Sequence, residues 1–329
     1  MAENVLSINN LKTQFSTQDG TVYAVDGLSF DVVAGQIVGL VGESGCGKST
    51  VAMSIMRLLP RQGQIVDGQI RVGGRDLVPL TEPQMQKVRG NDIAMIFQDA
   101  LTTLNPTMKV GRHLIQPLQI HRKMDERAAR AYAIELLDHV GIPDPAARME
   151  TYPHELSGGM RQRVMIAMAL SCDPKLLIAD EPTTALDVTI QRQIMDLILR
   201  LRDETGAGIV LITHDVGVVA EVCDRVVVMY AGKEVESGPT EEIFMRPRHP
   251  YTIGLLNSSL GLNDDRTQPL QAIPGLPPSL VHLPEGCRFA PRCRHATDQC
   301  RQMPPLEMVR ADHAAACWHK EEVYAEFTQ

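Results

Sequence analysis

Aromatic side chains are scarce in this 329-residue chain: Phe, Tyr and Trp together make up 4%, with a single Trp. Its core has to be assembled from Leu, Ile, Val and Met. Long apolar runs are also missing, and no stretch approaches the roughly 18 consecutive apolar residues of a membrane-spanning helix. Nor is positive charge in excess. Lys and Arg number 32 against 40 Asp and Glu, a net charge of −8, which weighs against a nucleic-acid-binding face, where phosphate backbones demand clustered cations. The opening Met1-Ala2-Glu3-Asn4-Val5-Leu6 has neither the basic nor the apolar region of a secretory signal, so the expected location is the cytoplasm. What is present is ordinary for a soluble globular protein: 44% hydrophobic and 22% charged residues, over a length that suits one large domain or two smaller ones.

One octapeptide organises the rest. Gly42-Glu43-Ser44-Gly45-Cys46-Gly47-Lys48-Ser49 fits G-x-x-x-x-G-K-[ST] at every fixed position. The apolar run Ile37–Val41 feeds into it, and a helical stretch follows with Val51, Ile55, Leu58 and Leu59 on one face before Pro60 stops it. Strand, glycine loop and helix start form the context of a phosphate site. Glycines let successive backbone N–H groups converge on phosphate oxygens, the helix N-terminus adds partial positive charge, and Lys48 reaches the terminal phosphates. Ser49 supplies a hydroxyl to Mg²⁺.

Before the loop, alternating runs around Val5–Ile8, Val22–Val25 and Leu28–Val32 read as short antiparallel strands. Asp92–Phe97 is a further strand, ending at Gln98. From Val110 to about Gly141 the pattern is helical, with Ala133, Leu136, Leu137 and Val140 sharing a face and Gly141 as C-cap. Ser157 caps a helix through Met160, Val164, Ala167 and Leu170. Leu176–Asp180 and Ile209–Thr213 read as buried parallel strands, separated by a long helix carrying Ile190, Ile194, Leu197, Ile198 and Leu201. Val226–Tyr230 and Glu234–Ser237 form a hairpin across Ala231-Gly232-Lys233. The pattern is α/β with a parallel sheet. After about residue 240 prolines accumulate and periodicity fades beyond Leu260, which places a boundary near 240–260.

Three strand ends carry chemistry. Asp180 stands where a phosphate-loop ATPase holds Mg²⁺, and Glu181 beside it is placed to polarise the attacking water. Gln98 could contact Mg²⁺ or that water, and His214 joins the same edge. Ser157-Gly158-Gly159 at a helix start makes a second anion site from backbone N–H groups, a hydroxyl and a helix dipole. One phosphate loop and a second phosphate-recognising surface are explained if two copies face each other, each Ser-Gly-Gly closing over the other's nucleotide.

In this order the residues resemble the ATP-binding subunit of an ABC transporter over roughly residues 5 to 260. The marks are an aromatic (Tyr23), the phosphate loop, the Q-loop Gln98, the signature Leu156–Gln162, the Asp180-Glu181 pair, the D-loop Ala185-Leu186-Asp187 and the switch His214. The resemblance implies a phosphate-loop (RecA-like) ATPase core with an antiparallel β subdomain, a helical signature subdomain at about 100–160 and a small Cys-rich C-terminal extension, with an ATPase domain at 1–260 and the extension at 261–329. It implies that Tyr23 stacks on adenine, that Gly42, Ser44, Gly45, Cys46, Gly47, Lys48, Ser49 and Thr50 cradle the phosphates, and that Ser49, Gln98 and Asp180 serve Mg²⁺. Glu181 is then the general base and His214 the γ-phosphate sensor. Ser157, Gly158, Gly159, Gln162 and Asp187 contact the partner's ATP.

A narrower likeness is to peptide importers and their nickel- and glutathione-transporting relatives, on Met95–Asp99, Leu104-Asn105-Pro106, Gly141–Pro145 and Arg248-His249-Pro250-Tyr251-Thr252. It implies ATP-driven import of di- or oligopeptides with two membrane-spanning permease subunits, a second, paralogous ATPase subunit and an extracytoplasmic binding protein, at the cytoplasmic face of the plasma membrane. Cys46 stands where Ser is commoner, suggesting sensitivity to thiol reagents. A soluble ABC protein of translation or DNA repair is the alternative; one phosphate loop per chain and the absence of sustained heptads between loop and signature weigh against it.

Of seven cysteines, Cys287, Cys293, Cys300 and Cys317 crowd the tail. In a reducing compartment this points to metal before disulfides. Zinc knuckles use C-x₂₋₄-C, which this spacing lacks. The wider spacing suits a bulkier [4Fe–4S] cluster, as the resemblance also implies, while zinc and no metal stay open. His295, His313 and His319 are read as solvated bystanders.

Overall fold

The computed structural model describes residues 3–184, 186–258 and 273–328; Ala185 and the expected 260/261 boundary lie outside the described residues. The chain divides into two compact units, one of residues 1–6, 32–36 and 71–210, the other of 7–31, 37–70 and 211–329.

The second unit carries the phosphate loop. Its strand Ile37–Val41 is buried at every position and runs parallel to Arg225–Tyr230, Val38 opposite Arg225 and Val41 opposite Val228. Arg225–Tyr230 turns back into Lys233–Pro239 as an antiparallel hairpin. Ala231 (φ 46) and Gly232 (φ 84) both take positive φ, the pattern of a tight turn whose twist matches the flanking strands. The hairpin edge does not stay open. His313–Ala315 pairs with it, Glu236 opposite Ala315, and Glu307–Arg310 pairs outside that. The tail, expected to be loop-rich, therefore adds two strands to this sheet. Segments of three and four residues are too short to show alternation, and the unpaired edge of the hairpin supplies the pairing they need.

The early strands are longer than expected. Asn4–Thr17 and Gly20–Val33 each span 14 residues, and their two-residue link makes them antiparallel. Asn4–Thr17 also borders Gly63–Val72. The helix after the phosphate loop, in contrast, is shorter. It spans Lys48–Met56 and stops where Arg57 turns left-handed (φ 54), its N–H meeting the carbonyls of Met53 and Ser54. Leu58, expected on the buried face, is 40% exposed. A left-handed residue has ended the helix before Pro60 could.

In the first unit, Ile93–Ile96 and Leu176–Asp180 pair in parallel, Ile93 opposite Leu176 and Ile96 opposite Ala179. Every residue of both is buried, as continuous apolar runs in a parallel sheet require. The helical stretch from Val110 is two helices, Val110–His121 and Glu126–His139. Lys123 (φ 56) breaks the first, and the Asp125 carboxylate caps the second by accepting from the Ala128 N–H. The C-cap of the second is Val140, and Gly141 (φ 75), expected as the cap, follows it in the left-handed position. Val188–Thr205 buries Ile194, Leu197, Ile198 and Leu201, and Gly206 (φ 69) closes it. The strand expected at Ile209–Thr213 is Gly208–Ile212 and is buried throughout. Among the described residues no helix is long and apolar enough to cross a membrane.

Candidate functional site

The loop from Gly42 to Ser49 keeps its shape because two of its glycines cannot carry a side chain. At Gly42 (φ 151) a Cβ would lie 2.2 Å from the Met229 carbonyl oxygen, and at Gly47 (φ 111) it would lie 2.1 Å from that of Ala24. Gly47 is also the N-cap of Lys48–Met56, so the helix start opens toward the loop. Ser44, Gly45 and Ser49 are exposed, while Gly42, Cys46 and Lys48 are buried and Thr50 is half-buried. The Lys48 ammonium donates to the carbonyls of Gly42 (2.7 Å) and Glu43 (3.1 Å). It rests on the loop that it would leave to reach a phosphate. In the same unit Tyr23 is 46% exposed, a surface ring of the kind base stacking needs, and His214 is exposed after the buried Thr213.

Cys46 departs from expectation. Its side chain is 5% exposed, and burial pushes the thiol above its ordinary pKa although Lys48 pulls the other way. The thiolate that reacts with alkylating reagents is thereby disfavoured.

The first unit holds the carboxylates. Asp180 is the buried end of its strand. Glu181 leaves the strand in a left-handed conformation (φ 47). Its Oε2 accepts from the Gln98 amide at 2.8 Å and from the Thr184 hydroxyl at 2.9 Å. Two residues that the sequence placed only at separate strand ends are thus hydrogen-bonded to each other. Ser157 accepts from the Met160 N–H at 3.3 Å and caps Gly158–Leu170. A Cβ on Gly159 would meet Ile190 at 2.9 Å. Gln162 is buried, and its amide donates to the Pro182 carbonyl at 2.6 Å, supporting the turn that carries Glu181. Asp187 caps Val188–Thr205 through the Ile190 N–H at 3.0 Å.

The tail corrects one reading. His313 is fully buried, not solvated, and its Nε2 pairs with the buried Glu236 carboxylate at 2.8 Å; pairing of its strand with Lys233–Pro239 carries it inside. His319 meets the Thr297 hydroxyl at 2.9 Å. Among the described residues no group of three or more His, Cys, Asp or Glu side chains is arranged to hold a metal ion, so the structure does not support the expected iron–sulfur or zinc site. The four thiols nevertheless lie within electrostatic reach of one another. Burial pushes Cys317 up to about 12, and Cys293, Cys287 and Cys300 push the same way. Cys287 and Cys293 are raised by burial, with smaller contributions from their sulfur neighbours.

The ABC transporter family model matches residues 25–184, and the model for the oligopeptide/dipeptide transporter C-terminal region matches 235–300. The chain is 51% identical to the oligopeptide transport ATP-binding protein OppD of Haemophilus influenzae over 95% of this chain and 97% of that one. It is likewise 51% identical to the dipeptide transport ATP-binding protein DppD of Bacillus subtilis, over 96% and 95%. The chain belongs to the ABC transporter ATP-binding proteins. Its fold is accordingly the ABC ATPase fold. It resembles a dimeric ATP-binding cassette, MJ0796, in a post-hydrolysis state bound to ADP and Pi (TM-score 0.65, 26% identity, 71% of this chain and 98% of that one). It also resembles cbiO1 from Clostridium perfringens, part of the ABC transporter complex cbiONQ (TM-score 0.63, 28% identity, 74% and 91%). As an ABC ATPase the chain acts on ATP, with Mg²⁺ as the expected metal. Two residues that sequence reading gave no role at the loop are Tyr251 and Arg292. They touch Glu43 from 208 and 249 residues away in sequence, and no local pattern marks such a contact.

Proposed function

We propose that this ABC ATPase powers the import of di- and oligopeptides. The reading is carried by one observation: identity near 50% runs the length of the chain to peptide-transport ATP-binding proteins, tail included. In this reading the ATPase domain spans 1–260, with its helical subdomain at about 100–160, and the four-cysteine extension spans 261–329. The protein sits peripherally at the cytoplasmic face of the membrane with two permease subunits, a second, paralogous ATPase subunit and an extracytoplasmic binding protein.

Tyr23 stacks on adenine, and Gly42, Ser44, Gly45, Cys46, Gly47, Lys48, Ser49 and Thr50 hold the phosphates. Ser49, Gln98 and Asp180 would hold Mg²⁺, which would supply positive charge against the developing phosphate charge. Glu181 takes the proton of the attacking water, held in place by Gln98 and Thr184, whose donors meet one of its oxygens. His214 senses the γ-phosphate. Ser157, Gly158, Gly159, Gln162 and Asp187 act on ATP held by the other subunit. Replacing Glu181 by Gln keeps the shape and removes the base. ATP binding should persist while phosphate release falls by about 10²-fold or more, and uptake of a labelled tripeptide by cells expressing the whole transporter should stop. Wild-type turnover in E181Q would refute the general-base role; transport of nickel but not peptide would refute the solute.

For the tail, Cys287, Cys293, Cys300 and Cys317 take up a [4Fe–4S] cluster with a structural role. The support is the wide sequence spacing of the four cysteines; the described side chains are not arranged to hold a metal ion. Anaerobic purification with iron and sulfide analysis tests it, and colourless, iron-free protein would overturn it.

A further inference from the structure

The phosphate loop carries an acid at a position its pattern leaves open. Glu43 follows the first glycine, and a carboxylate left unpaired in a phosphate loop weakens polyphosphate binding through like charge. The structure answers this charge from the tail. Arg292 ends the short 3₁₀ turn Ala290–Arg292, one residue before Cys293. Its Nη1 donates to Glu43 Oε2 at 2.6 Å and its Nη2 to Glu43 Oε1 at 2.9 Å, a two-pronged pair of the kind that fixes geometry as well as charge. The Arg292 side chain is 4% exposed and that of Glu43 25%. The guanidinium is itself held, with its Nε donating to the Pro274 carbonyl at 2.8 Å and Nη1 to the Tyr230 hydroxyl at 3.3 Å.

Glu43 is anchored along its backbone as well. Its N–H donates to the Tyr251 hydroxyl at 2.7 Å, and Tyr251 is fully buried against Tyr230 and Phe289, with ring centroids 4.6 and 5.5 Å away. The Glu43 carbonyl is one of the two on which Lys48 rests. A rigid aromatic cluster and a buried guanidinium thus grip the residue next to the phosphate-binding glycines.

We propose that Arg292 is a positioning residue of the ATP site. It neutralises Glu43 and holds the loop in the form that accepts phosphates, so the C-terminal extension is a working part of the nucleotide site. The inference rests on the phosphate loop binding ATP.

The test uses the full chain, titrated with a fluorescent ATP analogue in the presence of Mg²⁺, alongside ATP hydrolysis by the assembled transporter. Arg292→Ala should weaken nucleotide binding and raise KM for ATP by about tenfold, with kcat within about twofold, because the lost interaction is made equally before and during reaction. Glu43→Gln combined with Arg292→Ala should recover most of that affinity, since no unpaired carboxylate remains; Arg292→Lys, which keeps the charge, should lose less. If Arg292→Ala unfolds, Glu43→Gln alone decides: binding should hold or tighten, and a tenfold loss would overturn the proposal. So would unchanged affinity in Arg292→Ala, or a double variant as weak as the single one. Failure of the unaltered chain to bind the analogue would overturn the nucleotide reading and this role with it, whereas wild-type binding with an indifferent Arg292 would overturn only the latter.

Discussion

Single side chains in the phosphate loop show how burial redirects chemistry. Cys46 lies among the phosphate-binding residues, yet its sulfur is covered and burial raises its pKa, with Lys48 offsetting only part of the effect. Native protein treated with a maleimide at pH 8 should therefore leave Cys46 unlabelled, and urea-unfolded protein should be labelled there within minutes; peptide mass spectrometry distinguishes the two. Rapid native labelling would show that the loop opens far more often than this packing allows. Glu181 and Gln98 teach a complementary point. Each was legible as a strand-end residue, but their 2.8 Å hydrogen bond joins positions 83 residues apart in sequence, which no local pattern encodes.

Among the elements, the hairpin Arg225–Tyr230 to Lys233–Pro239 is tied to the loop more closely than its position at the sheet suggests. The Gly232 N–H donates to the Cys46 carbonyl at 2.8 Å, and the Asp26 N–H donates to the Gly232 carbonyl at 2.8 Å. Gly232 has φ 84, and a Cβ there would stand 2.6 Å from the Tyr23 carbonyl. Gly232→Ala should cost about 1–3 kcal/mol through left-handed strain and the clash, read as a lower urea midpoint. Ala231→Gly should have the opposite sign, gaining up to about 1 kcal/mol because φ 46 is uncomfortable for a residue with a Cβ. Equal effects from both would mean that the turn conformation is wrong. The same turn was visible in sequence from its Ala-Gly-Lys link and flanking β-branched runs. The strands His313–Ala315 and Glu307–Arg310 were not, because so few residues show no period and their partner lies far back in the chain.

For the molecule as a whole, buried histidines set the direction of its pH response. His249 is 2% exposed, and its Nδ1 accepts from the Tyr251 N–H at 3.1 Å, which requires a neutral ring. Burial lowers its pKa to about 3. Burial is also the first cause of the lowered values at His113, opposed by a backbone bond to Lys109, and at His121, where Lys123 adds to it. A depressed folded-state pKa means that the unfolded chain binds more protons between that value and about 6.5, so stability is fully present above about pH 6.5 and declines below it. Urea unfolding should show a fall between pH 7 and pH 5, at most about 1.4 kcal/mol per pH unit for each such group. His249→Asn, which retains a capping acceptor, should flatten the slope. A pH-independent midpoint over that range would contradict the burial of His249 and His113.

What the sequence determined by itself is the local chemistry: the glycine pattern, the helix cap at Ser157, the buried runs Ile37–Val41 and Leu176–Asp180, and the acids at the end of the second. Each rests on residues within a few positions of one another, where sterics and period leave a readable trace. What the tertiary structure decided is which distant groups meet: Gln98 on Glu181, Glu236 on His313, and Arg292 and Tyr251 on Glu43. Contacts of this kind are set by the pairing of strands and the packing of a core, and a guanidinium 249 residues away in sequence leaves no mark beside the loop it neutralises.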